Sequence, residues 1–194
     1  FCKLLIINAG NANAHTGKNG IKTIDKYVSA ASKYFNCKKS QVLVSSTGVI
    51  GEKLNADKII KIFPTILKSK TKNLLSASKA IMTTDTYPKS IVKKIKINSK
   101  IIKIFGFAKG SGMIFPNMGT MLSYIFIEAN LSKGILKQIL HSNLDSSFNS
   151  ISVDGDTSTS DTLMLFSLSD RDQKKIKSPN IINKISLGLK EVMS

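Results

Sequence analysis

A mixed α/β fold, with sheet packed against helices, is what this 194-residue chain predicts. Two patterns carry that expectation. Short apolar runs bounded by polar or glycine residues, at 3–7, 41–44, 121–127 and 163–166, read as strands. Between them lie longer stretches whose apolar residues recur every three or four positions, which is the period of an amphipathic helix.

The elements follow in order. Residues 3–7 form the first strand and run into Asn8-Ala-Gly-Asn-Ala-Asn-Ala14. Asparagine tolerates left-handed backbone and bonds its own main chain, so this stretch reads either as a tight turn or as a wall of amides lining a pocket. His15 follows it as a lone surface histidine. Ile21, Ile24, Val28, Ala31 and Phe35 share a helical stripe, which predicts a helix over 20–35. The strand 41–44 leads into Ser45-Ser-Thr-Gly-Val-Ile-Gly51. Small hydroxyl and glycine residues after a strand can turn backbone N–H groups toward an oxyanion, and a plain strand-to-helix turn has the same composition.

Helical spacing continues over 57–68, where Pro64 is expected to break or kink the helix, and over 74–81. The hydroxyl-rich loop Met82-Thr-Thr-Asp-Thr-Tyr-Pro-Lys89 comes next. Stretches 91–97 and 100–108, rich in isoleucine and lysine, predict a hairpin turning at Asn98-Ser99. A glycine-rich loop, Lys109-Gly-Ser-Gly-Met113, then leads to Pro116-Asn-Met-Gly-Thr-Met-Leu122 at the mouth of the apolar run 121–127. Ser132 is placed to cap a helix striped by Ile135, Leu136, Ile139, Leu140 and Leu144, with His141 off the stripe and exposed. Beyond it lies Ser152-Val-Asp-Gly-Asp-Thr-Ser-Thr-Ser-Asp-Thr162. Asp154 and Asp156 have the spacing of a calcium loop, but Thr159 stands where glycine is needed and Leu165 where glutamate is needed, so calcium is rejected. Strand 163–166, a charged connection over 170–177 and a helix over 181–192 complete the chain.

Composition narrows the function classes. The net charge is +17, yet Arg171 is the only arginine and the lysines are spread along the whole chain. Bidentate phosphate and base-edge contacts favour arginine, so nucleic acid is the least favoured partner and a solvated lysine surface the most. No apolar run is long enough to span a bilayer, and no membrane partner is expected. Cys2 and Cys37 have no metal or disulfide spacing and read as thiols of a reducing compartment, the cytoplasm. The chain starts at Phe1 and enters a strand almost at once, the pattern of a segment from a longer protein.

Gly119-Thr120 has chemistry of its own. A threonine hydroxyl can attack the carbonyl before it, shift the acyl group from nitrogen to oxygen, and release an N-terminal threonine by hydrolysis. Glycine before it tolerates the strained geometry such a step needs. The new α-amine, with an ordinary pKa near ~8, can take the proton from its own hydroxyl. No histidine is then required. Thr47 and Gly48 can supply an oxyanion hole, Lys109 can hold a substrate carboxylate, and Thr83 or Thr84 can add a hydroxyl contact. A strand-start threonine and ordinary loops remain the plain structural readings of the same residues.

Taken together and in this order, the quoted stretches from Asn8-Ala-Gly to Asp161-Thr162 resemble ornithine acetyltransferase, the bifunctional glutamate N-acetyltransferase family of arginine biosynthesis. The resemblance implies self-cleavage between Gly119 and Thr120. Residues 1–119 then end an α chain, and 120–194 begin a β chain headed by the nucleophile. It implies a ping-pong cycle in which N2-acetylornithine acetylates Thr120, ornithine leaves and glutamate takes the acetyl group. By position, Thr47 and Gly48 resemble the oxyanion pair, and Thr83, Lys109 and Thr120 the substrate contacts. The implied fold is a layered sheet–helix sandwich resembling N-terminal nucleophile hydrolases but differently connected. The implied assembly is two α and two β chains, with no metal or cofactor, and with acetyl-CoA as a further donor in some members. Gly119 departs from the family's usual alanine. The family's other substrate contacts, a glutamate and residues near the C-terminus, are expected outside this segment. A related self-processing aminopeptidase or amidase, and a basic domain that binds polyanions, are the competing expectations.

Overall fold

The computed structural model describes residues 1–69, 73–112, 121–153, 160–170 and 172–194. Its strands form two sheets. Strands β1 (Leu4–Asn11) and β2 (Val42–Val49) pair in parallel. The other sheet has the order β3 (Lys89–Ile97), β4 (Lys100–Lys109), β5 (Leu122–Ile127) and β6 (Thr162–Ser167), antiparallel except for the parallel β5–β6 pair. Parallel neighbours need a crossover, and helices supply both: α1 (Gly17–Tyr34) between β1 and β2, and α5 (Lys133–Leu144) between β5 and β6.

The side-chain alternation of the strands sorts the core into three clusters. Leu4, Ile6 and Val44 pack with Tyr27 and Ala31 of α1 and with the short helices α2 (Ala56–Lys61) and α3 (Phe63–Ser69). On the opposite face of β1, Leu5 and Ile7 meet Phe107, Leu122 and Tyr124 of the four-stranded sheet. That same face carries a run of stacked rings, Phe105–Phe126 at 5.3 Å and Phe126–Phe166 at 5.0 Å. Ile102, Ile104, Ile125 and Ile127 point the other way, into α5 and α6 (Pro179–Met193), where Ile185 and Leu189 are fully buried. Helix α4 (Leu74–Ala80) ends at the buried Ile81, within the cluster between the sheets.

Several sequence expectations hold. Ser132 accepts the Ile135 N–H as helix cap, the hairpin turns at Asn98 with φ 55°, and His15 and His141 are exposed. Others shift for identifiable reasons. The asparagine stretch stays extended to Asn11 instead of turning at Asn8, because β2 pairs with it residue for residue. The turn comes afterwards, where the Asn11 side chain accepts the Asn13 N–H at 2.8 Å and Asn13 takes φ 49°. Ser45 to Val49 likewise belongs to a paired strand rather than to a loop. The break expected at Pro64 falls earlier, at Ile62, so that Pro64 sits in the first turn of α3, where its missing N–H costs nothing. In α1 the buried face is centred on Tyr27, and Ile21 is left 70% exposed.

Candidate active site

Parallel pairing sets Asn8 opposite Ser46, Ala9 opposite Thr47 and Gly10 opposite Gly48. The carboxyl ends of parallel strands are where α/β folds place ligands, and two of the quoted stretches meet there. The approach is close. Gly48 has φ +128°, and a Cβ on it would lie 2.3 Å from the Gly10 carbonyl carbon and 2.6 Å from the Asn11 nitrogen. Only glycine fits that position. Thr47 is 1% exposed. Ser45, two residues earlier on the same face, stands beside the Tyr124 phenol of β5. Burial pushes that phenol up to about 12. Thr47 therefore looks into the space between the sheets.

The amino ends of β5 and β6 come to the same place. A cleft of about 280 Å³ is lined by Ala12, Asn13, Ser45, Ser46, Ser160, Asp161 and Thr162, uniting three of the quoted stretches, and by Ile24 and Val44 on the α1 side. Asp161 accepts the Met121 N–H at 2.9 Å, and the Met121 carbonyl accepts the Thr162 N–H at 2.8 Å. A larger cavity of about 890 Å³ lies elsewhere, against Phe1 to Lys3 and Ser167 to Asp170, and neither it nor the cleft is lined by Thr47, Gly48, Thr83 or Lys109.

Lys109 ends β4 on the face it shares with Phe107, again toward the space between the sheets. It is 3% exposed, and its ammonium donates to the Thr83 hydroxyl at 3.2 Å. Burial lowers its pKa; Asp85 and Asp161 push it back up, and Lys89 lowers it. Asp85 is the hub of this group, its side chain 1% exposed. Its Oδ1 accepts Lys89 Nζ at 2.7 Å and the Gly110 N–H at 2.8 Å, and its Oδ2 accepts the Thr83 N–H at 3.4 Å. Burial alone would raise the Asp85 carboxyl. The hydrogen bonds from Lys89, Gly110 and Thr83, with the Lys89 charge, outweigh it and hold the carboxyl below the usual carboxylate range. Thr84 shares a 2.7 Å hydrogen bond with Ser111 and does not reach Lys109.

The structure thus joins Thr83 to Lys109 directly and sets Thr47 and Gly48 on the facing sheet. Gly119 and Thr120 lie outside the described residues, as do Met113, Asp154, Asp156 and Thr159. Asp85, Lys89 and Asp161 are what sequence reasoning missed. A signal existed for the first two. With 12 acidic residues against 29 basic ones, a carboxylate inside a hydroxyl-rich stretch with lysine four positions on is a marked feature. Among the described residues no group of histidine, cysteine and carboxylate side chains could hold a metal, and no helix is long and apolar enough to cross a membrane.

Known proteins are similar to this sequence. A family model described as the ArgJ family matches residues 2–194. The arginine biosynthesis bifunctional protein ArgJ of Bartonella henselae is 47% identical over 163 residues, which is 84% of this chain and 40% of that protein. Its counterpart in Gluconobacter oxydans is 43% identical over 181 residues, covering 93% of this chain and 43% of that one. The chain spans about two-fifths of the length of these curated relatives. The crystal structure of arginine biosynthesis bifunctional protein argJ from Bacillus halodurans is similar at a TM-score of 0.52 and 37% identity, over 59% of this chain and 61% of that chain. A match that runs from residue 2 to residue 194, with relatives this similar along most of the chain, makes this protein a member of the ArgJ family.

Proposed function

We propose that the full-length protein is a self-processing acetyltransferase of arginine biosynthesis. It moves the acetyl group of N2-acetylornithine to glutamate through an acetyl-threonine intermediate on Thr120. The observation that carries this reading is the buried Lys109 hydrogen-bonded to Thr83, in a chain of the ArgJ family whose Thr47 and Gly48 lie on the other sheet.

The steps follow from the residues. Cleavage after Gly119 frees the Thr120 α-amine, ending an α chain at 119 and opening a β chain at 120. The amine takes the hydroxyl proton while Oγ attacks the acetyl carbonyl. Thr47 and the Gly48 N–H donate to the oxyanion. Lys109 and Thr83 hold the substrate carboxylate. The proton passes to the departing amine, ornithine leaves, and the glutamate amine then attacks the acetyl ester by the reverse path. Each acyl transfer conserves the acetyl group, so the cycle as written uses no metal or cofactor. Acetyl-CoA fits the same acyl-enzyme as a second donor.

The proposed assembly is two α and two β chains in the cytoplasm, with small-molecule substrates and neither nucleic acid nor membrane as partner. The proposed layering is that of N-terminal nucleophile hydrolases with a different connectivity.

The test is an acetyl-transfer assay on the full-length protein and its Thr120→Ala variant. Labelled acetyl is expected to pass from N2-acetylornithine to glutamate, and the variant is expected to lose both cleavage and transfer. Release of the label to water alone would favour a hydrolase. An active variant would reject Thr120 as the nucleophile.

A further inference from the structure

We propose that Asp85 is a positioning residue for Lys109, its buried carboxylate setting where the ammonium stands and keeping it charged. This rests on the reading above, in which Lys109 holds the substrate carboxylate.

The geometry is specific. Lys109 is buried, and the hydrogen bond found for its ammonium runs to the neutral Thr83 hydroxyl. An ammonium taken out of water loses its hydration, so an uncompensated lysine there would release its proton. Among the described residues, the charges of Asp85 and Asp161 favour its charged form and that of Lys89 opposes it. Asp85 also fixes the main chain on both sides of the contact. It accepts the Thr83 N–H, which orients the residue that Lys109 touches, and the Gly110 N–H, which fixes the residue after Lys109. One carboxylate therefore sets both the donor and its hydroxyl partner. Lys89 pairs with the same oxygen from a side chain that is 32% exposed.

A residue that only braced the loop would change stability and leave the titration of Lys109 where it was. A residue that acts through Lys109 moves that titration, and the direction depends on which neighbour is removed. Asp85→Asn removes a favourable charge, so Lys109 loses its proton at lower pH. Lys89→Met removes a repulsive charge, so Lys109 keeps its proton to higher pH.

The experiment uses full-length protein and the pH profile of kcat/KM for N2-acetylornithine, which reports groups of the free enzyme. In Asp85→Asn the alkaline limb is expected to move to lower pH, with KM raised about tenfold and kcat changed much less. In Lys89→Met the limb moves the opposite way. Asp85→Asn/Lys109→Met is expected to bind no worse than Lys109→Met alone. An unmoved limb in a folded Asp85→Asn, or additive losses in the double variant, overturns the proposal. Should Asp85→Asn fail to fold, Lys89→Met decides, and a limb that stays or moves down overturns it. If the wild-type protein forms no acetyl-Thr120, the functional reading fails instead. The pH dependence of Lys109 acylation by an amine reagent, read by peptide mass, then tests the same two opposite shifts directly.

Discussion

The two sides of the site are built on different physics. On the two-stranded sheet, Gly10 and Gly48 bring main chains so close that a single methyl group has no room. On the rim of the four-stranded sheet, Asp85, Lys89 and Lys109 are held by charge and hydrogen bonds within a buried cluster. The first arrangement is rigid and indifferent to pH. The second can be adjusted by single charges and responds to protons. Oxyanion stabilisation needs fixed donors that do not reorganise, and carboxylate recognition needs a charge that stays on. In the proposed cycle the first side would serve the oxyanion and the second the substrate carboxylate.

The largest effect is expected where there is no slack. Gly48→Ala forces a Cβ against Gly10 and puts a side chain on a left-handed φ. Strain and overpacking together cost roughly 2–5 kcal/mol, a large part of the ~5–15 kcal/mol that stabilises a domain. Loss of soluble protein or of all transfer activity at every pH checks this. Activity that returned on changing the pH would place Gly48 with the electrostatic side instead.

A smaller effect separates the two sides by acid. The Asp85 carboxyl is held low in the folded chain, so the folded state binds fewer protons than the unfolded one. Its contribution to stability is fully present above the ordinary carboxylate value of about 4 and is lost as pH falls through its folded value. Melting curves of wild type and Asp85→Asn are expected to differ at neutral pH and to converge in acid. A difference that persisted in acid would mean that shape, and not charge, is what Asp85 supplies.

The smallest effect lies outside both sides. Lys26 and Asp57 make a 2.8 Å ion pair with side chains 55% and 75% exposed. Such pairs contribute ~0–1 kcal/mol. Lys26→Met is expected to leave melting almost unchanged, and chemical denaturation checks it.

The sequence made the periodic elements legible. Ser132 as a cap, the hairpin at Asn98 and the stripe of α5 follow from local rules and appear where those rules put them. The strand pairing of Asn8 to Asn11 with Ser46 to Val49 was not legible. Asparagine and glycine signal turns locally, and here a distant strand with the same small residues overrides the signal. Thr83 and Lys109 were singled out in the sequence as substrate contacts, and the fold joins them to each other. Asp85 and Asp161 were quoted inside their stretches without a role. A carboxylate's task depends on which distant N–H and ammonium groups surround it, and only the fold brings Gly110 and Met121 to them.

The central claim is that Thr120 is a nucleophile freed by cleavage, and the intact mass of the full-length protein under denaturing conditions tests it most directly. Two fragments are expected, the second beginning at Thr120 and gaining one acetyl group after exposure to N2-acetylornithine. A single uncut chain in a well-folded, catalytically active protein would contradict the account at its central residue.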